Sequence, residues 1–496
     1  MQFRNILATL AAAAALTGCV KFDIGDNSGT KTVVTDENYY INTFACSAMS
    51  VYYLWTDEIS DGLSSWTVAD DPIEKVLAVR YKDSEGNDID RWTEMLESYS
   101  SMSSSVQGTG SSYGYDVTFY YLDNARTRIC AVINYTYADS PAREAGLERG
   151  DIIVTANGKE MTQDNLSDIY YDDLFGGTSC TLELADGRTV TLTAREFYAD
   201  PVLVRRTFDC VGGLVGYLAY TNFTMDSCED LIAACKAFNE EGGINSLILD
   251  LRYNTGGYAY AEYVLGSMLA PQSAVSAGSV FETEVYNSTL SEAWGKTEVY
   301  FQTEYDFTAN GKKYKFSSAG ANLGIDKLYV LTGSNTASAS EGLITGLMPY
   351  MDVTLIGKQT HGKFCGGILM SAKEWFETYR TELAASGYDV EGALNYAGDW
   401  GLYLMISRYA DKNGNTPCMP NGFTPDIDAT DNPAEGIALG DESEAMLAVA
   451  LQEAGGVLPA PAATKKPSRI GGRHIGSPVP DAPAPHSVRL MSFERP

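Results

Sequence analysis

Two stretches limit what this chain can fold into: "INSLILDLRYNTGG" (residues 244–257) and "KLYVLTGSNTASASEGLITGL" (residues 327–347). Each carries an apolar run without polar alternation into a turn, and the second continues at helical spacing. A strand apolar on both faces is covered on both sides, as in a parallel sheet. "VGGLVGYLAYTNF" and a helix-like segment at 226–241 precede the first run, and "DVTLIGKQTHGK" follows the second. This strand, helix, strand order predicts βαβ units. Residues 280–316 interrupt it with "FETEVY" and "TEVYFQTEYDFTANGKKYKF", which read as a β-rich insertion. "GLYLMISRYADKNG", "MPNGFTPDI" and a closing helix near 441–454 complete the body.

With 496 residues and roughly 150 per domain, about three domains are expected. Residues 37–104 open with apolar spacings of three and four, which predict a small helical domain ending in the Ser/Gly-rich linker "SYSSMSSSVQGTGSSYG". Residues 105–195 carry the β-like runs "YDVTFYYL" and "RICAVINYTY", and residues 196–457 hold the βαβ body. Residues 458–496 are Pro-rich, with six Lys or Arg against two acids, and are expected to be disordered. The expected fold class is therefore multidomain α/β (α+β): a small helical domain, a β-rich domain, and an α/β core with a β-rich insertion.

The net charge of −30 opposes nucleic acid or an anionic membrane face as partner. "MQFRNILATLAAAAALTGC" has a basic residue, an apolar stretch too short to span a bilayer, and small residues before Cys19. Its ending, "LTGC", resembles a bacterial lipobox, which implies an exported lipoprotein anchored through Cys19. Residues 20–36 then read as a tether, and the protein faces either the periplasm or the cell surface. The eight remaining cysteines form no CxxC pair or Cys/His cluster, so neither a zinc site nor any cofactor is expected. Cys228 and Cys235, seven residues apart on a helix, are separated by about 10 Å and out of disulfide reach.

"SNTASASEGL" (residues 334–343) offers four hydroxyls and one carboxylate at a strand-to-helix turn, where a helix N-terminus supplies N–H donors to a developing oxyanion. A conventional base is scarce. Of three histidines, His474 and His486 lie in the Pro-rich tail, leaving His361 in the body. Lys358 and Lys363 flank it. A lysine with its ordinary pKa near 10.4 is about one-thousandth neutral near pH 7.5, so a lysine base must sit roughly 2 to 3 below that value, at a cost of about 3 to 4 kcal/mol. That cost predicts a dry, mostly apolar pocket. On residues alone Ser334, Ser338 and Ser340 all compete, Ser334 equally well as a helix cap. His361 with Asp250 or Asp352 as orienter is the competing base.

"SPAREAGLERGDIIVTANG" (residues 140–158) resembles the helix, turn and strand of a bacterial protease-type PDZ domain, with Gly146 and Gly150 at the turns. "TASASEGLITGL" followed by "GKQTHGK" resembles the catalytic region of the S41 family, the C-terminal processing peptidases. Ser338 stands three before Glu341 and 25 before Lys363, the family's spacing. "LILDLRYNTGG" and "GFTPDI" fall in the family's order. The resemblance implies an α/β core of the ClpP/crotonase-like kind, with Ser338 as nucleophile and Lys363 as base. It places the oxyanion hole on Ala339 together with Gly256 or Gly257, with Glu341 and His361 as possible support. It implies peptide capture through "YGYDV" at Gly114, Tyr115, Asp116 and Val117, as a strand added to a sheet edge. Substrates would be polypeptides, either unfolded or offered as C-terminal tails, and the membrane would be met only through the lipid anchor. Two positions depart from the pattern: Gly367 replaces a Lys-contacting Gln, and Pro349 replaces an Asp. What holds Lys363 is open between Glu341 and a residue outside the motifs. The alternative function is a catalytically silent, PDZ-type peptide-binding adaptor; a Ser/His esterase using His361 is the third.

Overall fold

The computed structural model describes residues 37–455 except 68–69, 108–109, 296 and 310–311, together with 477–480, 482 and 488–491. The signal-like segment, Cys19, the tether, His474 and His486 lie outside these residues.

Helix α1 (Glu37–Tyr52) is buried on nearly all sides, as its run of Tyr, Ile, Phe, Ala and Met demands. Helix α2 (Pro72–Val79) starts where Asp71 accepts from the N–H groups of Ile73 and Glu74 and Pro72 fills the first turn. Strand β1 (Glu94–Leu96) follows, then α3 (Tyr99–Gln107). Segment 37–104 does not form a core of its own: α1, β1 and the central sheets share one apolar cluster. The expected Ser/Gly linker is also largely helical. Met102 and Val106, one turn apart, bury one face of α3, and Asp399 accepts from the Ser100 N–H at 3.1 Å.

Strands β2 (Tyr115–Tyr121), β3 (Ile129–Thr136), β4 (Ile152–Ala156), β5 (Ser179–Leu184) and β6 (Thr189–Thr193) make an antiparallel sheet in sequence order around a separate apolar cluster, leaving β2 as an edge. Gly150, at φ +89°, must be glycine: a Cβ there would lie 2.5 Å from the Gly436 backbone of the larger body.

The larger body contains two sheets. The first takes β7 (Val202–Cys210), β8 (Gly213–Tyr220) and, after helix α4 (Ser227–Glu240), β9 (Ser246–Asp250), whose five residues are all buried. Strand β10 (Gly256–Tyr258) leads into α5 (Ala259–Leu269), and the insertion opens with β11 (Val280–Tyr286) and β12 (Glu298–Tyr300). Then come β13 (Lys327–Thr332), α6 (Ala339–Leu347), β14 (Asp352–Gly357), β15 (Cys365–Ser371), β16 (Gly401–Ala410), β17 (Ile427–Asp428) and α7 (Ala445–Glu453). The first sheet runs β17-β14-β13-β9-β8-β7, parallel except for β7, so the predicted βαβ units are present. The second runs β10-β18-β15-β16-β11-β12, with β1 on β16.

Its member β18 (Val488–Leu490) comes from the Pro-rich tail. Segment 458–496 was expected to be disordered, but its described residues pair with both the β2 edge and the second sheet. Spare edge backbone recruits them regardless of their composition.

A buried ionic network joins the small sheet domain to the body. Arg149 donates to Asp431 at 2.6 Å and to the Tyr253 hydroxyl at 2.6 Å, while Arg252 bridges Asp250, Glu444 and Asp431 at 2.8 to 3.0 Å. Breaking one partner of such a network strands the others without water. Arg252→Met is expected to cost about 3 kcal/mol and to lower the thermal midpoint; an unchanged melt would contradict this role.

Candidate active site

Ser338 ends the loop after β13 and stands immediately before α6. Its backbone sits at φ +62°, a conformation that costs a non-glycine residue about 1–2 kcal/mol. Its Oγ is buried with no hydrogen-bond partner. Ala339 is the first helical residue, so its N–H has no partner inside the helix.

One carboxylate arranges the surroundings. Glu341, fully buried, accepts from the backbone N–H of Ser338 at 3.0 Å, Gly362 at 2.7 Å and Lys363 at 2.8 Å, and from the Thr360 hydroxyl at 2.6 Å. It therefore ties the loop before α6 to the loop after β14. Burial raises its pKa, and its four donors oppose that shift.

Lys363 has no exposed surface. Its Nζ donates to the Tyr403 hydroxyl at 3.0 Å, and it lies 4.8 Å from the Tyr403 ring centroid and 5.6 Å from that of Trp92. Burial brings its pKa down from 10.5 to about 8, against weaker upward pulls from Cys365, Glu94, Asp90 and Glu341. Tyr409, whose hydroxyl lies 2.6 Å from the Lys363 carbonyl and 3.3 Å from that of Ser338, ties the same two residues from β16.

Of the two glycines at the end of "LRYNTGG", Gly256 gives its N–H to Asn254 Oδ1 at 2.9 Å. Phe223 bonds the Gly256 carbonyl and the Tyr258 N–H at 2.8 and 2.7 Å, so the intervening Gly257 turns its own N–H toward the opposite side, into the slot between β10 and β15. At φ +137°, with Phe223 O only 2.4 Å from where a Cβ would be, Gly257 admits no side chain.

His361 lies beside Trp92, whose Nε1–H points to His361 Nε2 at 3.4 Å. Burial of the ring and the charges of Arg91 and Lys363 lower its pKa. Neither expected orienter faces it: Asp250 is taken by Arg252 and Tyr217, and Asp352 pairs with Lys327. Lys358 reaches Asp428 at 2.6 Å on the surface, and the Ser340 hydroxyl is given to the Asn254 carbonyl. Gly114 precedes β2 and Tyr115, Asp116 and Val117 are its first residues, 221 or more residues before Ser338 in sequence; Asp116 accepts from Asn134 Nδ2 at 2.6 Å, and burial raises its pKa to about 6. Sequence reasoning did not anticipate Trp92, Tyr403 and Tyr409, which sit outside every motif. Gly367 lies in β15, where a Cβ would stand 2.8 Å from the Leu404 backbone oxygen, so a Gln side chain at this position would clash with fixed backbone. Among the described residues no cluster of three or more His, Cys, Asp or Glu is arranged for a metal ion, and no helix is long and apolar enough to cross a membrane. The eight cysteines of the described body are free thiols.

Residues 214–429 match the family model of peptidase family S41, and residues 132–184 match that of a PDZ domain. The chain thus contains a peptidase family S41 region and a PDZ domain. It is 29% identical over 245 residues to the carboxyl-terminal-processing protease of Synechocystis sp., covering 48% of this chain and 49% of that one. It is 26% identical over 265 residues to the carboxy-terminal processing protease CtpA of Bacillus subtilis, covering 53% and 48%. The chain thus spans about half the length of these curated relatives. A solved structure assigned to the S41 proteases, from Bacteroides fragilis, shares the fold with a TM-score of 0.60 at 23% identity, over 83% of this chain and 96% of that one.

Two outcomes follow. Glu341→Ala removes an acceptor shared by four donors and is expected to cost about 3 kcal/mol, read by thermal melting. Lys363→Met acts oppositely. The Lys363 pKa is lower folded than unfolded, so below pH 8 the parent buries a charge, a penalty of about 3 kcal/mol that fades as pH rises toward 10.5. The variant's stability gain is therefore largest below pH 8 and shrinks above it; a gain that grows with pH would contradict this.

Proposed function

We propose that this chain is an exported serine endopeptidase that cleaves unfolded or C-terminal segments of polypeptides through a Ser338/Lys363 dyad and an acyl-enzyme. The observation that carries the reading is a single buried carboxylate, Glu341, holding the backbone of both residues, with the Lys363 pKa at about 8. Neutral Lys363 takes the Ser338 proton as Oγ adds to the substrate carbonyl. The N–H groups of Ala339 and Gly257 receive the oxyanion, and Lys363 returns the proton to the leaving amine. Water, activated by the same amine, then hydrolyses the ester. Tyr403 aims Nζ, taking the part of the missing Gln, and His361 lines the rim with Trp92.

The printed names of the relatives, carboxyl-terminal-processing proteases, support the substrate class. The PDZ domain supports capture of an extended peptide along β2, beginning at Gly114, Tyr115, Asp116 and Val117. We assign residues 37–104 to a helical lobe, 105–195 to the PDZ unit and 196–457 to the peptidase core. Residues 1–19 act as a signal that leaves Cys19 lipidated, holding the protein on the periplasmic side or cell surface. A second reading, a silent peptide-binding adaptor, draws on the absence of exposed surface at Ser338 and Lys363.

The test is casein cleavage across pH 6 to 10. With a working pKa near 8, the rate rises about tenfold between pH 7 and pH 9. Ser338→Ala and Lys363→Ala abolish it, and His361→Ala retains it within about threefold. Loss in His361→Ala with retention in Lys363→Ala would establish a Ser/His hydrolase. A parent that never acts, with or without bound peptide, would establish the adaptor.

A further inference from the structure

The C-terminal segment pairs with two sheets, at the β2 edge of the PDZ sheet and between β10 and β15 of the body. Beside the PDZ sheet, Pro478 bridges Tyr120 in antiparallel fashion, the Val479 N–H donates to the Phe119 carbonyl at 3.0 Å, and the Tyr121 N–H donates to the Ser477 carbonyl at 3.1 Å. Val479 is buried in the PDZ core, with Ala482 packed against it. This is strand addition to the exposed edge β2. It begins two residues beyond Val117, on the strand that the Gly114 loop opens.

In the body, β18 fills the slot between β10 and β15 and is the only strand that joins them among the described residues. It runs parallel to both. Val488 faces Gly256, Arg489 faces Gly257 and Leu490 faces both Tyr258 and Gly367. The Met491 N–H donates to the Gly367 carbonyl at 2.8 Å, and Leu490 is buried in the main core. Because Gly257 turns its N–H into this slot, parallel pairing aims that N–H at the carbonyl before Arg489, which belongs to Val488. With the strand seated, Ser338 and Lys363 have no exposed surface.

We propose that this chain is its own first substrate: it cleaves the Val488–Arg489 bond in cis, and the seated segment keeps other polypeptides out until it has done so. The inference rests on the peptidase reading above. Ser338 Oγ bonds to the Val488 carbonyl carbon as its proton passes to Lys363. The C–N bond to Arg489 breaks, the Arg489 nitrogen receives that proton, and one water hydrolyses the ester to leave a Val488 carboxylate and free Ser338. Release of the segment beginning at Arg489 empties the slot and exposes β10 and β15 to a second peptide.

The full chain, purified in detergent, is followed by intact-mass spectrometry at pH 9 beside a casein assay. The expected result is a species ending at Val488, formed with a rate constant unchanged over tenfold dilution, while the Ser338→Ala chain stays whole. The chain carrying Val479→Asp and Leu490→Asp, which removes both apolar anchors, loses this cleavage at least tenfold and cleaves casein at least fivefold faster than uncut parent. A parent that keeps its full mass while cleaving casein overturns the inference and leaves the peptidase reading standing. So does cleavage at another bond, or a rate that falls on dilution. A parent that cleaves neither casein nor itself removes the peptidase reading, and this inference with it.

Discussion

The site depends on where the Glu341 carboxylate spends its lone pairs. It takes three backbone N–H groups and one hydroxyl from two separate loops, and two of those N–H groups belong to Ser338 and Lys363. A buried carboxylate is costly unless it is fully hydrogen-bonded, so the four donors must converge wherever it goes. The convergence holds Ser338 in its positive-φ conformation and sets the Lys363 backbone beside it. Burial of the ammonium outweighs the upward pulls of the acids around it, and the lysine pKa falls. The residue that looks like a partner for the lysine charge is a clamp on its backbone.

Around that clamp, the parallel sheet brings the carboxyl ends of β9 and β13 together, the usual place for a ligand in an open α/β sheet. The second sheet supplies the opposite wall. Its strands β10 and β15 present glycines, Gly257 on one side and Gly366 and Gly367 on the other, whose bare backbone admits another strand. The PDZ sheet is held to this frame by Arg149, paired with Asp431 and capped by the Tyr253 hydroxyl. One segment can therefore pair with the PDZ edge and the cleft in the same molecule.

The βαβ order, the insertion and the turn carrying Ser338 were legible because apolar runs and their period report burial directly. The choice of Ser338, Glu341 and Lys363 came from the spacing shared with the S41 peptidases, since on residues alone Ser334 and Ser340 competed with Ser338. Trp92, Tyr403 and Tyr409 were not, because each reaches the site from a strand or loop distant in sequence and looks like any core aromatic. The Ser-rich stretch 98–107 misled because its composition suits a linker, while two residues, Met102 and Val106, and one distant cap, Asp399, suffice to fix a helix. The tail misled for a similar reason: Pro-rich composition argues against an independent fold and says nothing about docking to edges formed by the rest of the chain.

In the proposed mechanism a buried neutral lysine, and not a histidine, activates Ser338. The most direct measurement is the pH dependence of Ser338 acylation by a fluorophosphonate probe in the chain carrying Val479→Asp and Leu490→Asp, whose cleft is open. The expected rate climbs with an apparent pKa near 8 and keeps that midpoint when His361 is replaced by Ala. A midpoint that disappears with His361, or a Ser338 that stays unlabelled at every pH, would contradict it.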